Sequence, residues 1–399
     1  WLKLYVRSSS DAVLLNPANI IGNGVNYLAS GAAAFIAIRD EVTVGAEKEV
    51  DMVGWGDAAF GGNLSPTLRA IKDVVEVSCT SSAYAARRRD GSVVCWETVG
   101  GVMPPESEDY IQVRSNYGAF VGQKRDGRLF AWGGAGYGVP VPQEILQHDD
   151  YVELCGALFA FAARRATGHV VAWGDALHGG VLLPGQEGMS DIVQIIGNSG
   201  GFAALRDGGG SQSVIAWGAP AYGGAVPAEI AQLTNVKALG AATQQAFSIL
   251  LETNAVRAWG AASHGGTVPE TIQSLTNVVE VSSTWHAFCA RLSNGSVVAW
   301  GDPTNGGAVP EPIALLSNIV QVVGSARSFA ALRRDGTVVA WGYPATGGDI
   351  SAVAGQLVNV RAIYANTDAF TALTADGRVV TWGVAAGGGD SSKVQAELA

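Results

Sequence analysis

The sequence predicts an all-β repeat domain, a β-propeller of about nine units of about 41 residues each. Three observations predict it. A tryptophan recurs at positions 55, 96, 132, 173, 217, 259, 300, 341 and 382, with spacings of 41, 36, 41, 44, 42, 41, 41 and 41 residues. Glycine follows it in every copy but Trp96-Glu97. A second aromatic row keeps the same beat: Phe35, Tyr84, Phe120, Phe161, Phe202, Phe247, Phe288, Phe329 and Phe370. Between the two rows stand turn signals such as Asp90-Gly91, Asp126-Gly127, Asn294-Gly295, Asp335-Gly336 and Asp376-Gly377, which suit the positive φ of a tight hairpin.

Residues 277–317 show the elements in order. Asn277-Val278-Val279-Glu280-Val281-Ser282 alternates apolar and polar, the mark of a half-buried strand. After a short loop, Ala287-Phe288-Cys289-Ala290-Arg291-Leu292 reads as a second strand and Ser296-Val297-Val298-Ala299-Trp300 as a third. Gly306-Gly307-Ala308-Val309-Pro310 begins a fourth, edge-like segment, where proline is tolerated because no ladder partner needs its N–H. Pro312 to Leu316 reads as a helical turn leading to the next copy. Each large ring carries about 150–250 Å² into a core, so both aromatic rows are read as core between successive units. Nine copies exceed the usual four to eight blades, which leaves two geometries: a wide closed ring, or an open or spiral array with capping ends. Residues 23–399 carry the nine repeats; residues 1–22 lie outside the clean copies. There Leu2-Lys3-Leu4-Tyr5-Val6 reads as a strand, a candidate to close the last blade from the other terminus.

Composition sets bounds. Hydrophobic residues make up 48% and charged residues 15%, ample for a core and unlike a disordered chain. The formal charge of −10 argues against nonspecific binding to nucleic acid or an anionic membrane. Cys79, Cys95, Cys155 and Cys289 show no Cys-x-x-Cys spacing and read as small strand residues rather than a disulfide framework. The uncharged run from Ala12 to Ile38 is broken by Asn16, Pro17, Asn19, Asn23 and Asn26, so no transmembrane segment is expected there. The chain opens on Trp1 with no signal-peptide pattern, and is read as a processed or trimmed product whose compartment stays open.

The unit from Phe329 to Gly342, aromatic-Ala-Ala-Leu-x-x-Asp-Gly-x-Val-Val-Ala-Trp-Gly, resembles the regulator-of-chromosome-condensation repeat. It is also similar to short-period relatives, secreted enzyme inhibitors among them, whose repeats carry a later Gly-x-x-Val-Pro stretch, matched here by Gly223 to Pro227 and Gly265 to Pro269, and to long arrays in bacterial and protist proteins. The resemblance covers roughly residues 23–399 and implies a propeller. The family's namesake catalyses nucleotide exchange on a small GTPase through an inserted β-wedge and binds chromatin through basic segments. Here the chain is acidic, Phe stands where the namesake usually has His, and the largest insertion expected is about three residues, around Gly208 to Gln212. No catalytic residue carries over.

Function is then sought at positions that vary between copies. Five residues after each tryptophan stand Phe60, Gly101, Tyr137, His178, Tyr222, His264, Asn305, Thr346 and Gly387. The aromatic and imidazole members, Phe60, Tyr137, His178, Tyr222 and His264, are candidate partner-binding residues, because rings of this kind anchor protein interfaces. The competing reading is that they merely cover the neighbouring glycines. A second variable position precedes the second strand, and there Tyr117, Leu158 and Trp285 are candidates, against local packing under an adjacent loop. No cofactor or metal site is expected: His178 and His264 belong to units two apart, and His286 to another loop. Gly197-Asn198-Ser199-Gly200-Gly201 matches a nucleophile-elbow pattern but leads into a strand rather than a helix. The expectation is a non-catalytic protein-interaction scaffold, a candidate peripheral subunit of a larger assembly. The alternatives are a secreted or surface adhesin-like or enzyme-inhibitor module, a small-GTPase exchange factor, and a sugar-binding propeller.

Overall fold

The computed structural model describes residues 33–38, 47–97 and 109–398, with the short strands 5–8, 11–14, 20–22 and 42–44. Nine three-stranded antiparallel sheets follow one another along the chain. Blade seven is typical: Val278–Ser283, Ala287–Leu292 and Val297–Gly301. The other blades span 20–56, 74–96, 110–133, 151–174, 192–218, 236–260, 319–342 and 360–383. The architecture is a nine-bladed, all-β propeller.

The two aromatic rows meet within each blade. Phe288 and Trp300 are cross-strand partners, and the nine equivalent pairs have ring centroids 5.1 to 5.5 Å apart. Each pair then packs on the blade before it. The Trp300 Nε1–H donates to the Gly265 carbonyl at 2.9 Å, and the same bond recurs at 2.8 to 3.3 Å from Trp96, Trp173, Trp217, Trp259, Trp341 and Trp382. The accepting residue must be glycine. Gly265 has φ +84°, and a Cβ there would stand 2.6 Å from the Phe288 ring. Trp132 departs from the pattern, since the equivalent acceptor position is Val102, outside the described residues.

The first strands of neighbouring blades contact one another, so they form the inner wall of the ring. A β-bulge follows the first residue of this strand in most blades. The third residue reaches across to the next blade. Glu76 Oε2 accepts the Val113 N–H at 3.3 Å, and Gln321 both accepts the Ile363 N–H at 3.0 Å and donates to its carbonyl at 3.1 Å.

The ring is closed. Trp55 of blade one donates to the Gly388 carbonyl at 3.1 Å, the bond found between consecutive blades. Phe35, Val53 and Trp55 share one buried cluster with Ala369, Leu373, Val379, Val394 and Leu398. Asn366 Nδ2 donates to the Ala34 carbonyl at 3.4 Å, and Arg69 pairs with Glu397. The open-array geometry is thereby excluded.

Three expectations are corrected. No fourth strand forms at Gly306 to Pro310. Gly306 takes φ +94°, the chain has already turned through the 3-10 segment Pro303–Asn305, and a four-residue helix, Glu311–Ala314, follows with Ile313 buried. The largest insertion is not at Gly208 to Gln212. Blade one carries a hairpin, Val42–Val44 paired with Glu47–Glu49, between its second and third strands. Phe35 and Trp55 are 20 residues apart, against 12 for Phe288 and Trp300. No tryptophan of the row precedes Trp55, so the spacing ruler could not register it. Third, Tyr5 and Val6 pair with Leu14 and Val13 in a hairpin, while blade nine is built from its own three strands. Leu2-Lys3-Leu4 lies outside the described residues. The first strand of blade one is Ile20–Gly22, paired with Ala34–Ile38, so the repeat pattern reaches back before residue 23.

Candidate functional site

The two ends of the blades differ in chemistry. At one end lie the loops joining first to second strands and the turns that follow each tryptophan. They are tied together: Asp175 N–H donates to the Phe159 carbonyl at 3.0 Å and Asn116 Nδ2 to the Tyr137 carbonyl at 2.7 Å. This end is called the loop face. At the other end are the tight hairpins between second and third strands, edged by ion pairs such as Arg88–Asp73 at 2.8 Å, Arg165–Asp150 at 2.7 Å and Arg206–Asp191 at 2.8 Å.

The loop face is poor in charge. Among its described residues Arg327 is the one Lys or Arg, against Asp57, Glu97, Asp175, Asp302 and Asp368. Several of the acids are spent on local structure. Asp57, Asp175 and Asp302 each accept backbone N–H groups at the start of a 3-10 turn. The His178 side chain first, and then those backbone bonds, favour the ionised form of Asp175, and the hydrogen bonds from Thr304 and Asn305 favour that of Asp302, so both titrate below the ordinary carboxylate range. For Asp302 burial pulls the other way as the largest single influence, yet its hydrogen bonds together outweigh it.

The candidates fall in two circles on this face. Tyr117, Leu158 and Trp285 occupy the inner loops, all half-buried. The backbones of Tyr117 and Trp285 join neighbouring blades: Ser81 N–H donates to the Tyr117 carbonyl, Gln244 N–H to Trp285 and Trp285 N–H to Ala326, each at 3.0 Å. This loop position is therefore part of the ring's scaffold whatever its side chain does. Phe60, Tyr137, His178, Tyr222 and His264 form the outer circle, also half-buried. Phe60 packs on the cluster between blades one and two. Tyr137 lies over Gly118 and Gly134, and Tyr222 over Gly200, at distances a Cβ would violate.

The rings nevertheless connect beyond those glycines. Tyr117 stacks on Tyr137 with centroids 5.9 Å apart, Tyr137 on Phe159 at 5.2 Å, Phe159 meets His178 edge-on at 4.6 Å, and His178 meets Tyr222 at 6.5 Å. One arc of aromatic and imidazole rings thus crosses blades three to five. Leu177 beside it is 75% exposed. Further round, His264 lies 4.5 Å from His286, and Arg327 bonds Asn305 Oδ1 at 2.6 Å while its guanidinium sits 3.8 Å from the Tyr343 ring centre.

A pairing emerges that the sequence did not expose. At three joints the residue five after the tryptophan sits against the last loop residue before the second strand of the next blade: Tyr137 with Phe159, His264 with His286, Asn305 with Arg327. Phe159 and Arg327 stand one position past the loop site scanned in the sequence, and were missed as site residues. The signal was available: that column also varies, through Ser82, Gly118, Phe159, Gly200, Gln245, His286, Arg327 and Asp368.

Burial lowers His264 to about 4, with His286 adding to the effect and Asp302 opposing it. His286 is lowered as well, chiefly by burial. Both imidazoles are therefore neutral at pH 7. Among the described residues no three His, Cys, Asp or Glu side chains converge as metal ligands. The four cysteines are free, and burial pushes Cys95 and Cys155 up to about 12, which leaves little thiolate at neutral pH. Ser199 lies in an ordinary inner loop, its N–H bonded to the Gln244 carbonyl at 3.2 Å. No helix among the described residues is long and apolar enough to cross a membrane.

No protein-family model and no curated protein matches the sequence. Solved propeller structures resemble the chain at low identity. The ectodomain of the receptor kinase CR4 from Physcomitrella patens has a TM-score of 0.43 at 15% identity, covering 68% of this chain and 74% of that one. The CRINKLY WD40 ectodomain of ACR4 from Arabidopsis thaliana gives 0.42 at 14%, covering 77% and 94%. Prp20p from Saccharomyces cerevisiae, described with its binding to Gsp1p and histones, gives 0.42 at 15%, covering 72% and 80%. The propeller assignment rests on the chain's own nine sheets.

Proposed function

We propose that the chain is a propeller of the regulator-of-chromosome-condensation-like repeat type that acts as a non-catalytic scaffold, docking a protein partner through the loop face. The observation that supports it is the arc Tyr117, Tyr137, Phe159, His178 and Tyr222. The two aromatic core rows are complete in every blade without this third set, whose Tyr137 and Tyr222 also cover neighbouring glycines. Half-buried rings with a polar surround are the usual anchors of protein interfaces. A place as a peripheral subunit of a larger assembly fits this reading.

The test is quantitative capture of partners from the native source by the wild-type chain and by Leu177→Ser/Phe159→Ser. Leu177→Ser should be nearly neutral, while Phe159→Ser removes two ring contacts and should cost about 1–3 kcal/mol, so capture is run well below the melting temperatures of both chains. Loss of the wild-type partners from the variant is the expected result. An unchanged partner set would sink the docking role of this face. A nucleotide-release assay on small GTPases serves as the control for exchange activity, since the hairpin of blade one removes the lack of an insertion as an argument against it.

A further inference from the structure

We propose that His264 and His286 form an acid-opened clasp: protonation of the pair lifts the turn that follows blade six off the inner loop of blade seven. The clasp is a property of the ring itself and stands apart from any docking role of the face. The two imidazoles come from different blades. His264 ends the 3-10 turn Ala262–His264, His286 stands in the loop before the strand Ala287–Leu292, and their ring centroids are 4.5 Å apart. Both are half-buried.

Blade four shows what the pair lacks. There His178, in the place equivalent to His264, has a carboxylate in its own turn, Asp175, at 2.7 Å. A proton on that ring finds an opposite charge beside it. In the turn of His264 the same position is Ala261. The His264 Nδ1 meets the Ser263 hydroxyl at 3.0 Å, and the His286 Nδ1 is buried with no hydrogen-bond partner among the described residues. An imidazolium donates from both nitrogens, so a protonated His286 would bury an N–H with no acceptor.

The neighbouring charges raise the cost. Asp302 and Arg327 are the charged groups that face the pair. Asp302 is already held by the Thr304 N–H at 2.8 Å, the Thr304 hydroxyl at 2.7 Å and Asn305 Nδ2 at 2.6 Å. Arg327 brings a permanent cation to the His286 side, fixed by Asn305 Oδ1 at 2.6 Å and by the Tyr343 ring. Two protonated rings would therefore oppose each other with a third positive charge close by, half out of water. Parting them into water relieves all three contacts. The turn is able to part, because Ala262–His264 buries no side chain of its own.

The experiment follows amide exchange by mass spectrometry on the full chain at pH 7 and pH 5, as protection relative to the free-peptide rate at each pH. The N–H groups of Ala261, His264, Gly265 and Gly266 are hydrogen-bonded at 2.9 to 3.1 Å and report on the turn. An imidazole that returns from about 4 to 6.5 on opening makes the open form roughly twentyfold more populated at pH 5 than at pH 7, and protection of residues 261–266 should fall by about that factor. In His264→Gln/His286→Gln the fall should shrink to within about twofold. His264→Gln alone should lessen it, and serves if the double variant does not fold. Equal protection at the two pH values overturns the clasp, as does a fall that the variants keep. So does an equal fall at residues 134–138, where Tyr137 stands in the place of His264. Simultaneous loss of protection in the core strand Ala369–Thr374 would mean global unfolding, and overturns it too.

Discussion

Trp300 shows how much one position carries. Its ring stacks on Phe288, it is 2% exposed, and its Nε1–H closes the joint to blade six through the Gly265 carbonyl. Trp300→Ala should cost about 3–5 kcal/mol through lost burial and the cavity left behind. Trp300→Phe keeps a ring but strands a buried carbonyl, for about 1–3 kcal/mol. Urea unfolding followed by circular dichroism separates the two. His264 offers a pH test. Its pKa is lowered from 6.5 to about 4, so below pH 6.5 the unfolded chain binds a proton that the native state refuses. Its contribution to stability is whole above pH 6.5 and drains away as pH falls toward 4. His264→Gln should therefore lose less melting temperature between pH 7 and pH 5 than the wild type; an equal or larger loss would show that this imidazole is not held neutral. At this scale the core was readable because identical side chains recur. Phe159 and Arg327 were not, because their meaning lies in a neighbour supplied by another blade, some 20 residues away in sequence.

Each joint between blades combines a strand-borne aromatic pair with a turn-borne glycine. Gly265→Ala must hold alanine at φ +84° and push a methyl to within 2.6 Å of the Phe288 ring. The expected loss is about 2–4 kcal/mol, read from the urea midpoint, whereas Gly136→Ala meets nothing within 4 Å and should stay within about 1 kcal/mol. Three strands per blade, their hairpins and the helical turn after Pro310 follow from the alternation and turn residues of the sequence. The fourth strand did not follow. Extended, apolar residues near Val309 looked like an edge, yet a strand needs a ladder partner, and Val309 instead packs its side chain into the cluster of Ile313, Ile319 and Trp341. Periodicity reports burial well and pairing poorly, whereas the hairpin of blade one stayed hidden because no earlier tryptophan marks where that blade begins.

At the scale of the ring, closure was the open question, because the residues that meet at the seam, Trp55 and Gly388 for one, stand 333 positions apart. Among the described residues no strand is shared across it. The seam relies on the Trp55–Gly388 bond, the Phe35–Trp55 cluster and the terminal turn that brings in Val394 and Leu398. Truncation after Ser391 should cost about 3–6 kcal/mol, from two buried apolar side chains at about 1.5–3 each. Arg69→Glu, at a half-exposed pair, should cost no more than about 1 kcal/mol. Differential scanning calorimetry of both variants checks the order; a larger effect from Arg69→Glu would mean that the ion pair, not apolar packing, seals the ring. The outer track of the loop face also bears on how a partner would count this molecule. The backbone repeats nine times, but the track runs from tyrosines and Phe159 through the paired histidines to Asn305, Arg327 and Asp368 without repeating. A ligand that sensed backbone alone would find nine equivalent seats. One that reads the side chains would find a single azimuth, and would bind the wheel-shaped protein with the stoichiometry and polarity of an asymmetric one.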